Sequence, residues 1–167
     1  MKTILYMAVT ANGYIADLDD NVDWISTESW QSYQKLVATH KVAIIGRRTF
    51  ELMKADEFVK GCHYYVLTSK TGLKTSGNVT VTDKSPTELL DQLEQEGVDS
   101  VCILGGSYLI AGFVYSNLIT ELFLDVEPFL IGDGIPLFAQ ETATISLKLL
   151  GTHMLNENTI QLHYQVV

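Results

Sequence analysis

Short apolar runs alternate with longer amphipathic stretches along the whole chain. Ile4-Leu5-Tyr6-Met7-Ala8-Val9 reads as a strand and Asn12-Gly13 as a turn, while Trp24 to Thr39 carries Trp30, Tyr33, Leu36 and Val37 at helical spacing. Val42-Ala43-Ile44-Ile45 is a compact buried-strand run that Gly46 breaks, and a short helix begins across Thr49 to Met53. Tyr64-Tyr65-Val66-Leu67 and Val79-Thr80-Val81 are two more β-rich runs. Ser85-Pro86-Thr87-Glu88 opens a helix with proline near its first position; Leu89, Leu90 and Leu93 continue it and Gly97 closes it. Val101 to Leu104 reads as a strand, Ser107 to Tyr115 as a helix and Leu122 to Val126 as a strand. Ser146 to Val167 holds two extended runs around Leu155-Asn156-Glu157-Asn158, the pattern of a hairpin.

That alternation predicts an α/β protein of three layers: a mixed, mainly parallel sheet with helices on both faces and the hairpin as an antiparallel edge. With 167 residues, 47% of them hydrophobic, the chain has enough apolar material for a continuous core. Residues 1–167 read as a single domain, because no linker composition, repeat or low-complexity tract divides them. A formal net charge of -9 opposes nucleic-acid phosphates at long range and argues against such partners. The first apolar run is too short to cross a membrane and lacks a signal-peptide pattern, so a cytoplasmic protein without a membrane partner is expected. Cys62 and Cys102 stand far apart and read as buried thiols. His40, His63, His153 and His163 occur singly, with none at i,i+4 spacing, so no metal is expected.

Three strand-to-helix junctions carry candidate chemistry. Leu104-Gly105-Gly106-Ser107 puts two residues without side chains where a helix's positive end begins, which suits a diphosphate and equally suits a tight packing turn. Gly46-Arg47-Arg48-Thr49 adds two guanidinium groups and a hydroxyl, whose forked donors match the 2′-phosphate that separates NADPH from NADH. Thr68-Ser69-Lys70 ends another strand with hydroxyls and a cation.

Taken in order with Ala8-Val9-Thr10-Ala11-Asn12-Gly13-Tyr14-Ile15-Ala16 and Asp23-Trp24, these junctions resemble the dihydrofolate reductase superfamily. The segment Asp125-Val126-Glu127-Pro128-Phe129-Leu130-Ile131-Gly132-Asp133-Gly134-Ile135-Pro136-Leu137-Phe138 is most similar to one branch of it, the RibD C-terminal family of bacterial riboflavin biosynthesis. The resemblance implies an eight-stranded sheet binding NADPH in extended form across its strand ends. It implies that Ala8 and Ile15 border the nicotinamide, and that Gly46, Arg47, Arg48 and Thr49 hold the adenosine-side phosphates. Thr68, Ser69 and Lys70 would complete the 2′-phosphate pocket, Gly105, Gly106 and Ser107 would meet the pyrophosphate, and Leu109 would pack nearby.

The implied activity is that of a 5-amino-6-(5-phosphoribosylamino)uracil reductase, with hydride transfer to a pyrimidine- or pterin-related heterocycle. Dihydrofolate reduction and a nucleotide-binding module without catalysis remain alternatives. Reducing a C=N bond also needs a proton. Asp125, a charge inside an apolar run, is the first candidate to supply it; Glu28, shortly after Trp24, and Asp17 in the first loop follow. No arginine or lysine lies between Ala8 and Gln34, where a phosphorylated substrate would need one. Relatives of this kind often pair as homodimers, and the hairpin strands offer a surface for it.

Overall fold

The computed structural model describes residues 1–73, 75, 77–139 and 144–167. The strands are β1 (Lys2–Thr10), β2 (Tyr14–Ala16), β3 (Val42–Gly46), β4 (His63–Leu67), β5 (Val79–Thr82), β6 (Ser100–Ile103), β7 (Glu121–Glu127), β8 (Ile135–Pro136), β9 (Leu147–Met154) and β10 (Ile160–Val166). The helices are α1 (Thr27–His40), α2 (Arg47–Leu52), α3 (Pro86–Gln95) and α4 (Ser107–Tyr115), with a single 3-10 turn at Ala55–Glu57. No described helix is long and apolar enough to cross a membrane.

Eight strands form one sheet in the order β5-β4-β3-β6-β1-β7-β10-β9. The first six run parallel, while β10 is antiparallel to both β7 and β9, so the mixed sheet with a hairpin edge is as the periodicity predicts. The consecutive residues Ile44 and Ile45 are both fully buried and point to opposite faces, as the two-residue strand period requires. Ile44 packs with Leu89, Leu93 and Phe113 beneath α3 and α4, whereas Ile45 packs with Tyr33 and Val37 beneath α1. Those are the two cores of a three-layer protein.

Local chemistry sets the helix ends. Ser85 and Glu88 form a reciprocal capping box at α3, Pro86 occupies its first turn, and Gly97 at φ +83 ends it. Helix α1 begins at Thr27, three residues later than Trp24, because the Ser26 hydroxyl accepts from the Ser29 amide and caps the helix there. Its buried stripe is Ser29, Tyr33 and Val37, spaced by four.

The periodicity does not reveal the two-stranded sheet in which β2 pairs with β8. It ties the loop after β1 to the loop after β7, and Asn12 reinforces it by donating to the Ile131 carbonyl at 2.7 Å. Gly134 is required there, since a Cβ would stand 2.5 Å from the Ala16 carbonyl oxygen.

The connections position the site. The chain leaves β3 through α2 on the α1 side of the sheet, and leaves its neighbour β6 through α4 on the opposite side. Adjacent parallel strands whose connections diverge open a crevice at their carboxyl ends, the usual place for a ligand in such sheets.

Candidate functional site

Gly46 and Gly105-Gly106 meet in that crevice. The Gly46 amide donates to the Gly105 carbonyl at 2.8 Å, and the Gly105–Gly106 peptide bond is cis. Gly105 has φ +100, a conformation that side-chain-bearing residues avoid, and its Cβ would stand 3.3 Å from the Met7 sulfur. A Cβ on Gly106 would stand 3.4 Å from Thr49 Oγ1, and one on Gly46 would be 3.4 Å from the Gly106 nitrogen and 3.7 Å from Leu109 Cβ. The crevice is thus walled by bare backbone at the start of α4.

Two features there suit an anion. The first amides of a helix have no partner within it and carry its positive end. The hydroxyl of Ser107, a residue only 7% exposed, is buried without a hydrogen-bond partner among the described residues. Burying an unpaired hydroxyl is costly, so this group awaits a partner. These residues fit a cofactor diphosphate.

The cations stand beside this cradle. Arg47 pairs with Glu51 at 2.7 Å, and Lys70 approaches the same carboxylate at 3.7 Å. Arg48 makes a forked contact with Asp20 in the first loop, at 2.9 Å from Nε and 2.5 Å from a terminal nitrogen. All three cations are substantially exposed, so each pairing is weak enough for a phosphate to displace. The Thr68 hydroxyl accepts from the Lys70 amide at 3.1 Å and shapes that turn, with Ser69 exposed between them.

Next to the cradle, and sharing Thr49 and Leu104 with it, lies a cavity of about 110 Å³. Tyr6, Met7 and Ala8 of β1 form its floor; α1 contributes Ser29, Trp30 and Tyr33, α2 contributes Thr49, and Met53 and Glu57 follow it. Trp30 and Tyr33 meet edge to face at 5.7 Å. Ile15 is buried in β2 beyond this cavity and is not part of its lining.

Behind Tyr6 and Ser29 is Asp125, fully buried and, among the described residues, paired with no cation. Ser29 Oγ donates to Asp125 Oδ2 at 2.7 Å, the Tyr6 hydroxyl donates to the same oxygen, and Gln161 Nε2 donates to Oδ1 at 2.7 Å. The Tyr6 hydroxyl also lies 2.8 Å from the Ser29 carbonyl oxygen. Burial pushes the Asp125 carboxyl above the usual carboxylate range, the three hydrogen bonds pull it back in part, and nearby Glu127 adds to the rise. Burial also raises the Tyr6 phenol, and the Asp125 charge adds to it. The result is a carboxyl biased toward its neutral form, reaching the cavity only through two hydroxyls.

Glu127, two residues along β7, has a different task. It accepts from the Ser26 amide at 3.0 Å, the Ser26 hydroxyl at 2.8 Å and the Thr159 hydroxyl at 2.8 Å, which locks the start of α1 to the hairpin.

The other two candidate acids lie elsewhere. Glu28 is on the exposed side of α1, where a hydrogen bond from Asn156 lowers its pKa. One turn position separates it from Ser29, and helical geometry sends Ser29 inward instead. Asp17 accepts from the Asp19 and Asn21 amides and closes a turn in the first loop. Tyr6, Ser29 and Gln161 escape sequence reasoning, although a serine on the apolar stripe Ser29-Tyr33-Val37 was a readable signal. The Trp24 indole nitrogen is also buried without a partner among the described residues, none of which form a metal-binding cluster.

Comparison with known proteins places this geometry. The profile of the RibD C-terminal domain matches residues 1–160. The uncharacterized protein YwjB of Bacillus subtilis strain 168 is 33% identical over 171 residues, covering 98% of this chain and 97% of its own. Among solved structures, a Shewanella sp. PV-4 protein ascribed to riboflavin biosynthesis superposes with TM-score 0.87 at 21% identity, covering 100% of this chain and 99% of that one. A Thermotoga maritima diaminohydroxyphosphoribosylaminopyrimidine deaminase/5-amino-6-(5-phosphoribosylamino)uracil reductase superposes with TM-score 0.80 at 15% identity; 99% of this chain spans 56% of it. These likenesses establish the dihydrofolate reductase-like fold that the junctions imply.

Proposed function

The chain belongs to the RibD C-terminal domain family, and from that premise we propose that it is an NADPH-dependent reductase of the riboflavin-pathway type, acting on a small nitrogen heterocycle. The observation that carries this reading is the orphaned Ser107 hydroxyl at the first turn of α4, above a crevice in which Gly105 holds φ +100 and a Cβ on it would stand 3.3 Å from the Met7 sulfur. Gly105, Gly106 and Ser107 would hold the pyrophosphate. Arg47, Arg48 and Thr49, with Thr68, Ser69 and Lys70 across the crevice, would hold the 2′-phosphate side. Bound there, the nicotinamide supplies a hydride to the carbon of a C=N bond.

The chain's own task is the proton for the nitrogen. With Asp125 neutral, one of the two hydroxyls that otherwise donate to Oδ2 accepts from it instead; as that hydroxyl gives its own proton to the substrate it takes the one from Asp125, leaving Asp125 ionised and the hydroxyl restored. Titrating nicotinamide fluorescence with the protein tests the reading: NADPH should bind below millimolar concentration and more tightly than NADH. Equal affinities refute the 2′-phosphate assignment, and no binding refutes the whole.

The screened position of Asp125 favours one second reading, a nucleotide-binding module without catalysis. Binding of NADPH without oxidation in the presence of any pyrimidine or pterin would select it. We also propose that two copies pair through the edge strand β9, which exposes Leu147, Leu149, Leu150 and Met154. Light scattering on the eluted protein checks this, with a monomer counting against it.

A further inference from the structure

Resting on the reductase reading above, we propose that the substrate is a single-ring nitrogen heterocycle, uncharged or cationic and free of phosphate. The first argument is electrostatic. Among the described residues that line the cavity, Glu57 is the only charged one, and it stands half-buried with Oε2 fixed by the Lys54 amide at 2.9 Å. The arginines of α2 are not among the cavity's lining: Arg47 pairs with Glu51 and Arg48 with Asp20. A phosphate ester entering this cavity meets a carboxylate and no guanidinium, in a cleft where low-dielectric walls strengthen the repulsion.

Size and shape give the second argument. The cavity of about 110 Å³ is of the order of a single ring in size. The Trp30 and Tyr33 rings and the Met7 and Met53 thioethers are apolar surfaces suited to a flat ring. Polar recognition is concentrated at one end, where Ser29 Oγ and the Tyr6 hydroxyl converge on Asp125. A ring nitrogen or exocyclic amino group directed there receives the proton or keeps its own.

The test compares matched ligands on the NADPH-saturated protein by calorimetry: 5-amino-6-ribosylaminouracil, its 5′-phosphate, and 2,4-diaminopyrimidine. The phosphate-free uracil and the diaminopyrimidine should each bind at least about tenfold more tightly than the phosphate ester, and added salt should narrow the gap. In Glu57→Gln the ratio of the two uracil affinities should shrink by several-fold, because the substitution removes charge while keeping shape and hydrogen bonding. Equal or tighter binding of the phosphate ester overturns the proposal, as does failure of all three to bind while NADPH does. Failure of NADPH itself to bind instead defeats the reductase reading, which the preceding titration registers separately.

Discussion

The two ends of the site are built by opposite means. The end proposed for the cofactor is made of backbone: three glycines at the ends of two neighbouring strands, a helix start, and a buried hydroxyl without a partner among the described residues. The end proposed for the substrate is made of side chains from four elements, with Tyr6 of β1, Ser29 of α1, Asp125 of β7 and Gln161 of β10 meeting in one hydrogen-bonded cluster. Backbone recognition tolerates change in the surrounding side chains and fails when a Cβ intrudes. A side-chain cluster tolerates the reverse, so variants at the two ends should separate binding from chemistry.

The largest effect is expected at the substrate end. Asp125→Asn keeps an acceptor for Ser29 and removes the acid, so the hydride-transfer rate should fall by roughly 10²–10⁴-fold while NADPH affinity holds within about twofold, as read by stopped-flow and titration. The same residue sets a pH dependence. Its folded pKa is raised, so the neutral form is favoured in the folded protein; that stability is full at low pH and is lost as pH rises from the ordinary carboxylate range through the raised value. The rate should fall over the same window and Asp125→Asn should abolish that limb.

Gly105→Ala places a Cβ at φ +100 and against Met7, so NADPH affinity should drop by about a hundredfold and stability by about 1–2 kcal/mol, read by titration and chemical denaturation. A milder loss is expected for Ser107→Ala, about tenfold in NADPH affinity, with stability unchanged or slightly raised because the orphaned hydroxyl is gone. The smallest effect is a gain. Glu51 competes with the ligand for Arg47 and Lys70, so Glu51→Gln should tighten NADPH binding by about two- to fivefold and leave NADH unaffected. A variant that moved both ends together would break the division.

That division also explains what could be read without the structure. Glycine, proline and capping residues report local backbone needs, so Gly46, Gly105-Gly106 and the Ser85-Glu88 box announce their elements directly. Strand runs such as Val42–Gly46 are visible because both sheet faces are buried and the sequence is apolar throughout. Asp125 stands out for the same reason, as a charge where every neighbour is apolar. Tyr6, Ser29 and Gln161 do not stand out, because their partners lie 119, 96 and 36 residues away and only the sheet order brings them together. Strands β2 and β8 stay hidden since three and two residues carry no period. Glu28 and Ser29 show the limit most narrowly: adjacent polar residues at a helix start, of which rotation about the axis exposes one and buries the other.

Gln161 carries a consequence for how the protein is made. Every other residue of the site precedes it in the chain, and its amide is the sole side-chain donor to Asp125 Oδ1 among the described residues. During synthesis the glycine crevice has all its parts once α4 has emerged, whereas the proton-holding cluster waits for β10 to add beside β7. Until then Asp125 lacks one of its three donors, so the emerging chain holds every residue of the glycine crevice before it holds every residue of the carboxyl cluster.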